Sequence, residues 1–582
     1  MMQTRKQKAI RKIKIGACLF AFALLYSCQS MRSGDEKVDG EPIFSNFEYV
    51  GNDKIYDENP LLEGQFYSPI LQGCYPDPSI TRKGDDYYLV TSSFVMFPGV
   101  PIFHSKDMVN WQQIGHVLDR ESQLKVGTAG ISAGIYAPDI MYNPYNDTFY
   151  MITTQIASGI GNMVVKTKDP KAGHWSDPIK LQFDGIDPAL FFDDDGKAYV
   201  VHNDAPDKGK ELYEGHRVIK VWEYDVETDQ VIAGTSKIIV DGGVDIKQKP
   251  IWIEAPHVYK RNGKYYLMCA EGGTGGNHSE VVFSSDSPMG PYIPAANNPI
   301  LSQRHLPRDR QNKVDWAGHA DLVQTPGGEW YGVFLAVRPN EEGRVNTGRE
   351  TFILPVDWSG EWPLFEAGLE PLKPSVRMPK GAKNEMNTGQ YFPNANFTFA
   401  DRLDGDRLDD RWIGLRGPRE KFVHETKNGL IIKPFAVSIK EQKPISALFH
   451  RQQHITFSAS VEMDYTPRSE MDFAGLTCLQ SETFNYVFGV TKSDGNYYLV
   501  LERTEKGLSK IVARTKLDEA GKIRLKVTAD GDNYQFSYGI SNGPYNNLGS
   551  MMSGDILSTD IAGGFTGAMI GLYATSASDT KL

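Results

Sequence analysis

Five times along the chain, a polar residue beside proline or alanine opens a short apolar run, and a run rich in aromatic residues follows. The units recur at a period of roughly 50 to 70 residues, and strand–turn–strand units that return in this way are typical of a β-propeller. Each blade of such a fold buries its faces against its neighbours. The five openings are Asp77-Pro78, Pro138-Asp139, Asp187-Pro188, Glu254-Ala255-Pro256 and His319-Ala320-Asp321. The pattern therefore predicts an all-β chain with a five-bladed β-propeller.

The innermost strands of a propeller converge on one axis, so the residues that open them face one small funnel. In this chain those residues are Asp77, Asp187, Glu254 and His319, and Asp139 fits the pattern less clearly. Taken singly, each carboxylate is more often a structural turn residue. Three of them at strand openings of three repeats favour acid–base chemistry in one cleft.

Beyond the repeats, short strands alternate apolar and polar residues between turns, as in a β-sandwich of the concanavalin or jelly-roll type. We expect a tether over 29–60, the propeller over 61–375, a linker over 376–389 and the sandwich over 390–582. Because the linker is short and contains several prolines, its reach is limited. We therefore expect the sandwich to dock on the propeller.

Residues 1–28 resemble the signal peptide of a bacterial lipoprotein. Basic residues precede an apolar run, which ends in the lipobox-like sequence Leu25-Tyr26-Ser27-Cys28. Cleavage there would leave Cys28 as a lipidated N-terminus on an exported lipoprotein of the outer membrane, on its periplasmic or cell-surface side. The alternative is an ordinary secretory signal with an incidental cysteine.

Charge and cysteine content exclude several classes of function. The formal net charge is −11 over 582 residues, which argues against nucleic acid as a partner because such binding depends on a basic surface. It suits a neutral ligand such as a sugar. Outside the first 28 residues the cysteines are Cys74, Cys269 and Cys478. Their wide spacing predicts neither a metal site nor a disulfide framework.

Hydrolysis of a glycosidic bond needs two carboxyl groups that flank the bond. Asp77 lies between two prolines, which aim its side chain rigidly. Glu254 has apolar neighbours, which would raise its pKa and keep it protonated near neutrality, as a general acid requires. Asp187 is the third carboxylate, and its negative charge would raise the pKa of the acid further.

Together these motifs are similar to those of glycoside hydrolase family 43, whose members are five-bladed propellers and inverting β-xylosidases, α-L-arabinofuranosidases and arabinanases. The similarity covers the propeller in order, and the sandwich resembles the C-terminal module of the xylosidase-type members. The motifs are Tyr75-Pro76-Asp77-Pro78-Ser79, Asp187-Pro188-Ala189-Leu190-Phe191-Phe192, Glu254-Ala255-Pro256-His257, Gly318-His319-Ala320-Asp321 and Gly348-Arg349-Glu350-Thr351-Phe352.

The resemblance implies a role for each of the three carboxylates. Asp77 would be the general base that deprotonates the attacking water. Glu254 would be the general acid that protonates the leaving oxygen. Asp187 would modulate the pKa of that acid.

The resemblance also implies substrate-binding residues. Arg349 would donate hydrogen bonds to hydroxyls of the terminal sugar, although a surface ion pair with Glu350 is the alternative. Phe94 and Tyr136 would wall the sugar pocket, where the alternative is that both are core aromatics. No cofactor is required. His319 would lie on the axis near a water-coordinated calcium ion, or, alternatively, would be hydrogen-bonded in the core.

The leading hypothesis is an exo-acting, inverting glycosidase that removes terminal β-1,4-linked xylose from xylo-oligosaccharides, with side activity on α-L-arabinofuranosides. A dedicated α-L-arabinofuranosidase is the alternative within this class. A non-catalytic, sugar-binding surface lipoprotein is the alternative outside it. We expect such a protein to lack at least one of the three carboxylates, whereas all three are present here.

Overall fold

The computed structural model describes residues 39–156, 159–386, 388–405 and 407–577. In these ranges the chain is almost entirely β-structure, with five antiparallel sheets of four or five strands, two larger sheets and two strand pairs. No helix among the described residues is long and apolar enough to cross a membrane. The predicted signal peptide and Cys28 lie outside the described residues.

The five smaller sheets follow one another along the chain and form the predicted β-propeller. The first strand of each sheet contacts the first strands of the sheets before and after it, and the fifth sheet contacts the first. The polar openings of the five repeats therefore lie around one axis, as predicted, and the aromatic runs form the second strands.

The strand bounds of the propeller are given sheet by sheet. The first sheet contains Ser79–Lys83, Asp86–Val90, Gly99–Ser105 and Gln112–Leu118. The second contains Asp139–Asn143, Thr148–Gln155, Gly161–Thr167 and Ile179–Lys180. The third contains Ile186–Phe192, Ala198–Asp204, Val218–Asp225, Gln230–Val231 and Lys237–Asp241. The fourth contains Glu254–Arg261, Lys264–Glu271, Ser279–Ser285, Ile293–Pro294 and Leu301–Ser302. The fifth contains Asp315–Gln324, Trp330–Val337, Glu350–Asp357 and Leu364–Phe365.

The C-terminal sandwich consists of a six-stranded and a nine-stranded sheet that enclose one apolar core. The six-stranded sheet has the order Ala447–Arg451, Met569–Thr575, Phe473–Ser481, Phe484–Ser493, Asn496–Glu505 and Leu508–Leu517. The main path of the other sheet is Val423–Thr426, Gly429–Ile432, Ile43–Gly51, Thr456–Tyr465, Gly521–Asp530, Asn533–Ile540 and Asn546–Asn547. Its two side strands are Thr398–Asp401 and Met552–Ser553.

The tether predicted over 29–60 is wrong where the structure describes it. Ile43–Gly51 is a strand inside the nine-stranded sheet of the sandwich, and Tyr49 pairs with Ala459 on one side and with Phe399 on the other. Phe44, Phe47 and Tyr49 are buried in the core of the sandwich. Because the partners of this strand lie beyond the whole propeller, no neighbouring sequence signalled its pairing.

The sandwich docks on the propeller, which confirms that prediction. The outer face of the six-stranded sheet contributes Phe449 and Tyr573 to an apolar cluster that also contains Phe97 and Leu118 of the propeller. The strand Met96–Phe97 also pairs with Gly414–Leu415.

The start of the predicted linker is ordered as a strand, because Ser375–Arg377 pairs with Gln65–Tyr67. Helical segments are short. The α-helical ones are Lys54–Glu58 and Thr559–Ala562, and the 3₁₀ turns are Pro170–Ala172, Ile246–Gln248, Arg419–Lys421 and Asp555–Leu557.

Candidate active site

β-Bulges re-aim the residues that open three of the innermost strands. The register shifts between Ile186 and Ala189, between Glu254 and His257, and between Gly318 and Asp321. One residue in each bulge has a positive φ, namely Asp187 (52°), Ala255 (50°) and His319 (56°). Bulges beside active sites commonly turn a side chain out of the regular pleat. Positive φ in residues other than glycine is costly, so the surrounding structure must hold these three positions in place.

Relative to the bulge of its strand, Glu254 lies one residue earlier than Asp187 does in the third sheet. Ala255 takes the bulged position that Asp187 has in the third sheet, and Glu254 corresponds to Ile186. Glu254 therefore opens its strand, as expected, but one position before the bulge. Its carboxyl nevertheless lies close enough to Asp187 and Asp77 for both charges to raise its pKa.

Asp77 is a buried carboxylate with three polar neighbours. The Ser92 hydroxyl donates to its Oδ2 at 2.6 Å, and Nη1 of Arg349 donates to its Oδ1 at 2.6 Å. Nδ1 of His319 lies 3.5 Å from the same Oδ1. Burial alone would raise the pKa of Asp77, but Arg349, His319 and Ser92 together hold it below its ordinary value. Asp77 is therefore ionised and able to accept a proton.

Glu254 and Asp187 have the opposite electrostatic character. Burial raises the pKa of Glu254 well above its ordinary value, and the charges of Asp187 and Asp77 raise it further, against Arg349 and Arg217. Burial and the charge of Asp77 raise the pKa of Asp187 to about 7. The cavity thus holds an ionised carboxylate and a protonated carboxyl, which is the pair that acid–base catalysis requires. We call Asp77, Asp187 and Glu254 the reactive layer.

Arg349 is directed into the site. It is only 5% exposed, and the neighbouring Glu350 instead accepts two hydrogen bonds from Arg338, at 2.6 and 2.9 Å. The alternative of a surface ion pair with Glu350 is therefore wrong. Nε of Arg349 is buried without a hydrogen-bond partner in the described part of the chain. It is a donor that a ligand hydroxyl would satisfy.

The aromatic wall of the site contains a residue that the sequence analysis missed. Phe94 and Tyr136 lie together, with ring centroids 6.2 Å apart. Phe565 of the sandwich stacks on Phe94 at 6.5 Å and lies 5.9 Å from Tyr136. The Arg349 guanidinium is 5.6 Å from the centre of the Phe565 ring. Nothing in the sequence around Phe565 resembles a propeller motif, so only the docking of the two domains reveals it.

Close backbone contact holds the loop of Phe565 against the propeller. A Cβ atom added to Gly348 would lie 2.8 Å from Cα of Gly567, which is closer than real contacts of this kind. The backbone N–H of Phe565 donates to the Ser132 hydroxyl at 2.9 Å. Glycine at both positions therefore allows the sandwich to place Phe565 beside Arg349.

Two buried histidines lie beside Asp77. Burial lowers the pKa of His319 to about 4 and that of His278, which the sequence analysis did not single out, to about 3. Both are therefore neutral near neutrality. His319 contacts Asp77 directly, whereas both ring nitrogens of His278 are without a hydrogen-bond partner within the described ranges.

A second polar cluster lies along the same innermost strands, and we call it the axial layer. It consists of Ser79, Asp139, His257 and Asp321. The Ser79 hydroxyl lies 3.1 Å from Oδ1 of Asp139 and 2.8 Å from Oδ2 of Asp321. Nδ1 of His257 lies 3.6 and 3.7 Å from the two carboxylates. Asp139, which the sequence pattern placed less clearly in the funnel, belongs to this layer.

The carboxylates of the axial layer are satisfied by the protein itself. The backbone N–H of Leu190 donates to Asp139 at 2.8 Å. The backbone N–H of Ile80 and the hydroxyl of Tyr259 donate to Asp321 at 2.8 and 2.7 Å. Together with Ser79, these contacts join all five propeller sheets at the axis.

Asp139, His257 and Asp321 of the axial layer form the group of described His, Cys, Asp and Glu residues whose ligand atoms lie close enough together to hold a metal ion, and this group does not include His319. All four carboxylate oxygens of Asp139 and Asp321 already have a hydrogen-bond donor. His257 offers a nitrogen ligand, whereas calcium prefers oxygen ligands. These residues fit a resident calcium ion poorly. The water-coordinated calcium ion expected near His319 stays a prediction. Calcium titration of chelator-treated protein would test it.

Comparison with known proteins agrees with this geometry. Residues 66–363 match the family model for glycosyl hydrolases family 43, and residues 400–581 match the beta xylosidase C-terminal concanavalin A-like domain. A xylosidase/arabinosidase of Butyrivibrio fibrisolvens is 38% identical over 521 residues, which cover 88% of this chain and 96% of the relative.

Two further proteins extend the comparison. A non-reducing end alpha-L-arabinofuranosidase of Bacteroides ovatus is 34% identical over 88% of this chain and 92% of its own. The crystal structure of a GH43_12 protein from a capybara gut metagenome superposes with a TM-score of 0.88 at 57% identity, covering 92% of this chain and 100% of that one. With both domains matched and the carboxylates of the reactive layer gathered in the propeller, the chain belongs to glycoside hydrolase family 43.

Proposed function

We propose that the protein is an exo-acting, inverting glycosidase that removes terminal β-1,4-linked xylosyl residues from xylo-oligosaccharides and also hydrolyses α-L-arabinofuranosides. The observation that supports this most strongly is the opposite direction of two pKa shifts in one cavity, downward for Asp77 and upward for Glu254. A non-catalytic sugar-binding protein would have no need for this separation.

The roles follow from those protonation states. Asp77 takes a proton from a water molecule, which attacks the anomeric carbon while Glu254 gives its proton to the departing glycosidic oxygen. Asp187 helps to keep Glu254 protonated before the bond breaks, because its charge raises the pKa of Glu254. Arg349 donates to hydroxyls of the terminal sugar through its unpaired Nε.

The walls of the cavity favour removal of single terminal sugars. Phe94, Tyr136 and Phe565 meet at one side of the reactive layer, and Phe565 comes from the other domain. A wall contributed by the sandwich closes the cleft against a polymer that would pass through it. Replacing Phe565 with alanine in the full chain should therefore weaken binding of the terminal sugar and raise KM more than it lowers kcat.

The choice between xylose and arabinose is tested by direct comparison of substrates. Purified protein is assayed on 4-nitrophenyl β-xyloside and on 4-nitrophenyl α-L-arabinofuranoside, and kcat/KM is compared. We expect the xyloside to be preferred. Preference for the arabinofuranoside by tenfold or more would favour the second candidate, a dedicated arabinofuranosidase, which the name of the Bacteroides ovatus relative supports. Lack of hydrolysis of both would contradict the proposal.

The stereochemical proposal has its own test. Proton NMR of the first-formed xylose should show the α-anomer from a β-xyloside before mutarotation. Release of the β-anomer would mean that Asp77 attacks the sugar as a nucleophile instead of activating water.

We also propose that Cys28 is lipidated and anchors the enzyme to the outer membrane of the producing cell, on the basis of the lipobox-like sequence before it. Cell fractionation should find the full chain with the membranes, and Cys28→Ala should abolish labelling with a fatty-acid analogue. An unlabelled full chain would support the ordinary secretory signal.

A further inference from the structure

A second cavity is lined in part by Trp252, which lies two residues before Glu254 in the chain. Its volume is about 530 Å³. It lies between the loop after the second strand of the third sheet and the segment that leads into the fourth sheet. Its lining includes Tyr213, Gly215, Arg217 and Trp252.

Trp252 is fixed in this cavity although it is partly exposed to solvent. Its backbone N–H donates to the carbonyl of Gly215 at 3.1 Å, and its φ is 51°. The guanidinium of Arg217 lies 4.6 Å from the centre of its ring. The side chain is still 36% exposed. An indole held in this way by a backbone bond and a cation is a pre-organised surface for a ligand.

Hydrogen bonds connect the cavity to the general acid. Arg217 donates from Nε to Oδ1 of Asn203 at 2.9 Å, and Nδ2 of Asn203 donates to the carbonyl of Ile253 at 2.5 Å. Ile253 is the residue immediately before Glu254. The charge of Arg217 also opposes the rise in the pKa of both Glu254 and Asp187, so its guanidinium lies near both carboxyls.

The chemistry of the acid indicates what this cavity holds. Glu254 must reach the glycosidic oxygen, and that atom joins the terminal sugar to the sugar that departs. The terminal sugar lies against Arg349 and the wall formed by Phe94, Tyr136 and Phe565. The departing sugar therefore extends on the acid's side, and Trp252 lies on the segment that leads into the acid.

We propose that Trp252, supported by Arg217, is the stacking surface for the first sugar of the leaving group, a pyranose of a neutral oligosaccharide. The inference rests on the proposed function and adds a specificity-determining residue to it. The C–H face of a pyranose packs on the exposed part of the indole, and the Arg217 guanidinium, 4.6 Å from the ring centre, fixes the ring. Trp252 thus makes the enzyme prefer a sugar leaving group to a small alcohol.

The test compares two leaving groups on the sugar that the wild-type protein cleaves best. The substrates are the disaccharide and the methyl glycoside, and the variants are Trp252→Ala and Trp252→Phe. For Trp252→Ala we expect kcat/KM on the disaccharide to fall about tenfold, as when an aromatic anchor is lost, mostly through KM. The methyl glycoside should lose less than threefold, and Trp252→Phe should restore most of the loss. Ile251→Ala is the matched control, because Ile251 is 50% exposed and adjacent, and it should affect both substrates equally and weakly.

Two outcomes would overturn the inference. Equal losses on both substrates, with a shift of the basic limb of the pH profile, would mean that Trp252 only positions Glu254. No loss on either substrate would mean that the ring does not contact the leaving group. If the wild-type protein hydrolyses neither a xyloside nor an arabinofuranoside, the proposed function fails, and that result is distinct from both outcomes.

Discussion

The reactive layer and the axial layer both contain buried carboxylates near the axis of the propeller, but those carboxylates have different neighbours. In the axial layer, all four oxygens of Asp139 and Asp321 accept hydrogen bonds from donors in the surrounding sheets. In the reactive layer, Arg349, His319 and Ser92 hold the pKa of Asp77 down, whereas burial and the charges of Asp187 and Asp77 raise that of Glu254, so the two pKa values move apart.

The difference shows that neighbouring charges, as well as hydrogen-bond donors, decide what a buried carboxylate does, because burial raises the pKa of Asp139 to about 6 although both of its oxygens have donors. A fully hydrogen-bonded acid contributes to the cohesion of the fold, because leaving its donors unpaired would be costly. Asp77 lies beside a guanidinium and Glu254 lies near two carboxylates, so their affinities for protons differ in opposite directions, which is what catalysis uses. The sequence shows which residue types occupy the two layers, whereas only the structure shows which groups donate hydrogen bonds to them.

The largest effect should come from the base of the reactive layer. Asp77→Asn removes the group that activates water, so kcat/KM should fall by about 10²–10⁴ or more on every substrate, whatever its leaving group. Thermal unfolding followed by circular dichroism should show that the variant is folded. Substantial turnover in a preparation free of contaminating glycosidase would refute the assignment.

Removal of the acid should produce a loss that depends on the leaving group. Glu254→Ala should lower hydrolysis of the disaccharide by about 10²–10⁴, because an alkoxide leaves slowly without a proton. The 4-nitrophenyl glycoside, whose leaving group is a good one, should lose much less. Steady-state kinetics on the two substrates measure the split, and similar losses on both would show that Glu254 binds the substrate instead of donating a proton.

A substitution in the axial layer should affect stability before activity. Asp321→Asn replaces the acceptor of hydrogen bonds from the Ile80 N–H and the Tyr259 hydroxyl, so unfolding should become easier by about 1–3 kcal/mol, the usual cost of unpaired buried donors. Chemical denaturation measures this change, and kcat/KM per folded molecule should fall far less than in Asp77→Asn. Asp147→Asn, whose side chain is 64% exposed, is the control and should change neither. If Asp321→Asn lost turnover as completely as Asp77→Asn, the separation of the two layers would be wrong.

The smallest effect should be a shift of the pH profile. Activity needs Asp77 ionised and Glu254 protonated, so the acid limb follows Asp77 and the basic limb follows Glu254. Asp187→Asn removes a negative charge that raises the pKa of Glu254, so the basic limb of kcat/KM should move to lower pH. Asp139→Asn, in the axial layer, should leave that limb where it is. Movement of the limb to higher pH in Asp187→Asn would contradict the role of Asp187.

The sequence predicted local and repeated features well. The five openings and their aromatic strands, the three carboxylates and the burial of Glu254 all follow from patterns within a few residues. Features that depend on the other domain or on register were missed. Phe565 reaches the site only through docking, the strand Ile43–Gly51 finds its partners across the propeller, and the bulge displaces Glu254 by one position.

The strand Ile43–Gly51 also determines the order in which the chain can fold during synthesis. It precedes the propeller but belongs to the middle of the sandwich sheet, so it must wait for Thr398–Asp401 and Thr456–Tyr465 to emerge. The entropic cost of closing so long a loop is reduced when the propeller has folded first and holds both ends together. We therefore expect the propeller to form early and the sandwich to close last, which also installs Phe565. A partly synthesised or truncated chain would expose an apolar strand, and it would be recognised by chaperones and proteases before it could act on a sugar.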